Sequence, residues 1–151
     1  MVTLVVLRHA KSAWPDGVPD LDRPLGDRGL RDAPAAGRWL GEHVPDIDLV
    51  LCSPALRARQ TWQHTGLTTP PVQEDARIYD GPVLDVVRDI PDVRTAVVVG
   101  HNPDLEDLVE QLTGDRTTFK TSTVAVLESA LSWADAGERW ARLVTVVTPR
   151  G

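Results

Sequence analysis

Three apolar runs stand out along the chain, Thr3–Leu7, Asp48–Cys52 and Thr95–Val99, each dominated by valine and leucine with little polar alternation. Runs of this kind fit strands buried on both faces, as in a parallel sheet. Each ends in polar residues that lead, at once or after a loop, into a helical spacing. The first is followed by a loop rich in Pro, Gly and Asp, Ala10–Gly26, and then by a helix expected over Asp27–His43. Leu30, Ala33, Gly37 and Leu40 lie along one side of that helix, and Pro34 falls early in it, where a bend is expected. After the second run, Ser53 reads as an N-cap and Pro54 as the first residue of a helix through Leu56, Gln60 and His64 to Gly66. A weaker strand, Val72–Ile78, precedes a short helix from about Val83 to Ile90. Asn102-Pro103 repeats the cap-then-proline pattern and opens a helix to about Leu112. Thr123–Ser129 and Trp140–Val147 read as strands, and the turn around Asp135–Glu138 suits an antiparallel pair.

Strands and helices alternating in this way predict an α/β sheet with helices on both faces. With 151 residues, no repeat and no linker, one domain is expected. The formal charge of -6, without any basic run, argues against nucleic acid or an anionic membrane as a partner. One local basic pocket is still compatible with it. Arginine far outnumbers lysine, which fits either phosphate forks or a compositional bias. A single cysteine, Cys52, excludes an intramolecular disulfide, and the run Leu4–Leu7 is too short for a signal peptide or a span. A cytoplasmic location is the expectation.

In open α/β sheets the ligand crevice lies beyond the carboxyl ends of the strands. Three such ends carry reactive groups: Arg8-His9-Ala10-Lys11-Ser12, then Cys52-Ser53-Pro54 with Arg57 about one turn on, then Gly100-His101-Asn102. Each alone reads more readily as a turn histidine or a solvated arginine. Together at one sheet edge they read as phosphoryl chemistry. Two arginines fork a phosphate dianion bidentately, and a helix N-terminus after Ser53 or Asn102 would add oriented N–H groups. An imidazole neutral at its attacking nitrogen can take phosphorus covalently, and a second, cationic imidazole can stabilise the transferring oxygens. With that much positive charge supplied, neither a metal ion nor a cofactor is needed.

The runs "LRHAKS", "SPALRARQTW" and "VGHNP" resemble the histidine phosphatase superfamily, the phosphoglycerate-mutase-like fold, and within it the small SixA-type phosphohistidine phosphatases. The stretch "DLDRPLGDRG", Asp20–Gly29, is similar to the segment that opens the first helix in that subgroup. The resemblance implies a three-layer α/β/α sandwich with a six-stranded, mostly parallel mixed sheet holding one antiparallel strand. It implies His9 as the phosphorylated nucleophile, Arg8 and Arg57 as the phosphate clamp, and His101 completing the pocket. Ser12 and Asn102 are expected to donate further hydrogen bonds to phosphate, and Lys11 to attract substrate.

Members that act on phosphate esters usually carry a carboxylic acid after the third strand as proton donor. Here Glu74 and Asp75 are expected at the start of the strand, too early, which leaves Asp80, a residue that a turn beside Gly81-Pro82 explains equally well. An alkoxide leaves poorly unless protonated, whereas an imidazole leaves far more easily. The chain also has no long insertion to roof the pocket. The expected substrate is therefore phosphohistidine on a partner protein. The competing readings are a small-molecule phosphomonoesterase with Asp80 as acid, and a phospho-ligand binding module without turnover. A cysteine phosphatase would need five residues between its Cys and Arg, and "CSPALR" has four, so Cys52 reads as a core residue. His43 and His64 read as surface residues. Trp14 reads either as the pocket mouth or as packing over the core, and the other four tryptophans read as packing residues.

Overall fold

A computed structural model describes residues 1–151. In chain order the elements are β1 (Val2–Arg8), α1 (Asp27–His43), β2 (Leu49–Cys52), α2 (Leu56–His64), β3 (Val72–Glu74), α3 (Arg77–Asp80), α4 (Val83–Arg88), β4 (Thr95–Gly100), α5 (Asp104–Thr113), β5 (Val124–Ser129) and β6 (Arg142–Val147). They build a six-stranded sheet in the order β3-β2-β4-β1-β5-β6. Neighbours are parallel except around β5, which runs antiparallel to both β1 and β6. The expected mixed sheet with a single reversed strand is what forms.

Side chains on successive strand positions point to opposite faces, and both faces here are apolar. Leu4, Val6, Leu49, Leu51, Val98 and Leu127 meet α4 and α5 through Val86, Val87, Leu105, Leu108 and Leu112. Val5, Leu7, Val50, Cys52, Val97 and Val99 meet α1 and α2 through Leu40, Ala58 and Trp62. This two-sided burial is why the central strands read as unbroken apolar runs. Trp133 and Trp140 close the first of these cores and Trp39 borders the second.

Several element boundaries differ from the sequence reading. The α2 helix starts at Leu56 because Ser53 Oγ takes the Ala55 N–H and leaves Ala55 extended, so Ser53 is not an α-helical N-cap. Arg57 is consequently the second residue of the helix rather than a turn inside it. The strand expected to reach Ile78 stops at Glu74; Asp75 caps the turn that follows by accepting the Arg77 N–H, and Ile78 is buried from α3. Glu74 and Asp75 thus sit at the end of their strand, not its start. The α5 helix begins at Asp104, and Asn102 does not cap it, because its side-chain amide donates to the Phe119 carbonyl instead. α1 runs unbroken through Pro34.

Two glycines let α1 dock. A Cβ on Gly37 would lie 2.0 Å from the Thr65 carbonyl oxygen at the end of α2, and one on Gly29 would lie 2.2 Å from the Lys11 carbonyl oxygen. Gly29 therefore holds α1 against the loop after β1. An exposed mid-helix Gly→Ala change gains about 1 kcal/mol. Gly29→Ala should instead cost about 2 kcal/mol, because the clash is with backbone that cannot rotate away. Urea denaturation measures this, and a stabilised variant would contradict the packing described.

Candidate active site

The register of β1 on β4 pairs Arg8 with Gly100, so the residue that follows each strand, His9 and His101, emerges at the same edge. The His9 N–H donates to the Gly100 carbonyl at 3.1 Å, and the Ser53 N–H to the Val99 carbonyl at 3.0 Å, which brings the third strand end alongside. The imidazole centroids of His9 and His101 are 5.2 Å apart. Arg57 reaches the same place from the first turn of α2. A cavity of about 200 Å³ opens there, lined by Arg8, His9, Lys11, Ser12, Trp14, Arg23, Arg57, His101, Asn102 and Thr121. All six expected site residues, Arg8, His9, Ser12, Arg57, His101 and Asn102, line it. No carboxylate does.

His9 is 93% buried by its 7% exposure, and its Nδ1 lies 2.7 Å from the Ala10 carbonyl oxygen. A carbonyl can only accept, so the proton sits on Nδ1 and Nε2 keeps its lone pair. Burial, the neighbouring His101 imidazole, and the Arg57 and Arg8 guanidinium groups push His9 down to about 3, against the backbone bond to Ala10. It is therefore neutral near pH 7. His101 is pushed down to about 4, first by burial and then by Arg57. The cationic second imidazole expected from sequence is thus a neutral one near pH 7. Its Nε2 lies 2.7 Å from Ser53 Oγ, which already accepts the Ala55 N–H and so has its own proton to give.

Several buried donors of the lining residues find no partner in the protein: Arg8 Nε, Arg57 Nε and, with Ser53 donating to Nε2, His101 Nδ1–H. Buried unpaired donors are costly, and all three belong to residues that line this one cavity. The terminal nitrogens of Arg57 are held by the Asp20 carbonyl at 2.8 Å and the Asp20 carboxylate at 3.1 Å. Arg8 Nη1 is held by the Phe119 carbonyl at 2.9 Å. The first turn of α5 contributes acidic residues, Asp104, Glu106 and Asp107, and so does not act as the anion-binding helix end considered above.

Three residues absent from the sequence reading belong to this site or brace it. Arg23, only 7% exposed, donates to Ser12 Oγ at 2.8 Å and to Asp20 at 3.0 Å. Asp20 also accepts the Tyr79 hydroxyl at 2.8 Å, and the Tyr79 ring stands edge-on to His101 with centroids 5.7 Å apart. The Tyr79 hydrogen bond, followed by those from Arg57 and Arg23, draws Asp20 down to about 2. Asp20 is therefore ionised and has no proton to give near neutrality. Asp80, the acid of the alternative reading, lines a different hollow with Pro82, Asp104 and Asp107 and is not among the residues that line this cavity. Asp75, at the right sheet edge, is locked by Arg77 at 2.8 Å. Burial pushes the Cys52 thiol up to about 12, which makes it an inert core residue.

The fold and this pocket define an α/β protein with paired histidines set among arginines. The sequence profile of the histidine phosphatase superfamily (branch 1) matches residues 4–80. An uncharacterized protein of Mycobacterium tuberculosis (strain H37Rv) is 43% identical over 159 residues, covering 95% of this chain and 100% of that one. A structure provisionally named phosphohistidine phosphatase SixA, from Nakamurella multipartitia, superposes with a TM-score of 0.84 at 36% identity, covering 98% of this chain and 96% of that one. The phosphohistidine phosphatase SixA of Escherichia coli (strain K12) is 29% identical over 133 residues, covering 80% of this chain and 81% of that one. The chain belongs to the histidine phosphatase superfamily and is SixA-like within it. Membership of that family supports phosphatase function.

The two depressed histidines have a consequence for stability. From pH 6.5 downward the unfolded chain takes up protons on residues that the fold keeps neutral until about 3 and about 4. The stability these two residues contribute therefore falls as pH drops through that window and levels off below it. His9→Gln removes one of the two titrations. Its urea midpoint should fall less steeply than wild type between about pH 6 and about pH 4. Equal slopes would contradict a neutral, buried His9.

Proposed function

We propose that the chain is a phosphatase that works through a covalent phosphohistidine on His9, and that its substrate is phosphohistidine carried by a partner protein. In this reading His9 Nε2 attacks phosphorus while Nδ1–H stays on the Ala10 carbonyl. Arg8 and Arg57 hold the phosphoryl oxygens through guanidinium N–H groups, and Arg23 adds a third guanidinium to the pocket. His101 donates from Nδ1, and an arriving dianion favours its protonated form. Ser12, whose oxygen accepts from Arg23, can give its own proton to phosphate. Asn102 braces the loop at Phe119 and has one amide hydrogen left for substrate. Water then attacks the phosphorus on Nε2, releasing phosphate and restoring His9.

The observation that carries the substrate assignment is the absence of a carboxylic acid from the cavity wall. A carboxyl group that protonates the leaving oxygen typically contributes roughly 10²–10⁴ in rate. Without one, ester cleavage is slow, whereas a phosphohistidine ring protonated at its free nitrogen departs as neutral imidazole and needs no acid from the enzyme. The lack of a roofing insertion suits a side chain presented by another protein. The similarity to SixA proteins supports the same reading.

Parallel assays with a histidine-phosphorylated carrier protein and with sugar phosphates at equal concentration test it. A preference of at least ~100-fold in kcat/KM for the carrier is expected, the size of a missing general acid. Equal rates, or faster ester hydrolysis, would overturn the substrate assignment.

A further inference from the structure

Trp14 is the single hydrophobic residue lining a cavity otherwise made of polar and charged side chains, and it is 73% exposed. A tryptophan is rarely left so open, and this one packs into none of the hydrophobic cores. One face of its ring is covered: the Arg23 guanidinium carbon lies 3.5 Å from the ring centroid. Arg23 is itself fixed by Ser12, Asp20 and the Ala13 carbonyl. The backbone beneath is fixed as well, because the Ala13 N–H donates to Pro24 and the Gly26 N–H to Lys11, both at 2.9 Å. The indole thus lines the cavity with one face on a fixed guanidinium and most of the rest of its surface exposed.

Phosphoryl transfer places the attacking and leaving atoms roughly in line. His9 is buried at the cavity floor, so the group that leaves phosphorus departs outward, toward the rim where Trp14 stands. We propose that the open face of Trp14 receives the leaving imidazole of the substrate phosphohistidine by stacking, which makes Trp14 the residue that selects a ring-bearing N–P substrate. The inference rests on the phosphohistidine reading. A preset aromatic plate loses little entropy when a ring settles on it, which suits a weak and transient protein substrate. The rival role for Trp14, shielding Arg23 from water, would affect every substrate alike.

The test compares kcat/KM for phosphohistidine with that for phosphoramidate, which has the same P–N bond and no ring. Trp14→Ala should lower the ratio of the two by roughly 3- to 10-fold, the range of an aromatic pair. Trp14→Leu, which still covers Arg23 but presents no ring, should lower it similarly, and Trp14→Phe should restore most of it. Because both rates come from the same protein sample, any loss of folded enzyme cancels. A ratio within about two-fold of wild type in both Ala and Leu variants would overturn the inference while leaving the phosphohistidine reading intact. Wild-type enzyme that hydrolyses neither N–P compound but cleaves esters would overturn both.

Discussion

An imidazole attacks phosphorus only through an unprotonated nitrogen, and in the proposed reaction that nitrogen stays unprotonated among cations that would hold a dianion. The two demands agree rather than conflict. Burial and the nearby guanidinium groups both disfavour a charged His9, and its one hydrogen bond, to the Ala10 carbonyl, fixes which nitrogen is free. In the proposed reaction the cations that would bind phosphate also keep the nucleophile ready. What the arrangement costs is stability in acid and a set of buried donors without protein partners.

The sheet makes this geometry possible. Parallel pairing of β1 with β4 and of β4 with β2 delivers three strand ends to one edge in fixed register, and rigid strands rather than mobile loops hold both histidines. Around them a smaller scaffold orients the arginines. Asp20 ties Arg23, Arg57 and Tyr79 together, so a half-exposed carboxylate in a 3₁₀ turn sets the directions of two guanidinium groups. That carboxylate neutralises part of the pocket's charge, yet being ionised it cannot serve as the acid that an ester would need.

The central strands and the catalytic-edge residues were legible because their signals are local: an apolar run, then a polar cluster at its end. Arg8, His9, Arg57 and His101 all announce themselves this way. The misread places are those where tertiary demands override a local rule. Ser53 has the chemistry of a cap, but its hydroxyl faces His101 and the Ala55 N–H. Ile78 extended an apparent strand because it is apolar, yet it is buried from a short helix, while the edge strand β3 is exposed throughout. Arg23 was missed because it reaches the pocket from a proline-rich loop where an arginine ordinarily points to water. The spacing of Asp20 and Arg23 in "DLDR" is the one clue the sequence held. Tyr79 left no clue, since its partners lie far away along the chain.

The most direct measurement is acid quenching of the enzyme during turnover of a ³²P-labelled substrate, followed by mapping of the label. The account predicts acid-labile, alkali-stable phosphate on His9, absent from His9→Gln. Turnover with label on another residue, or with no protein-bound phosphate at any time in the burst, would contradict it.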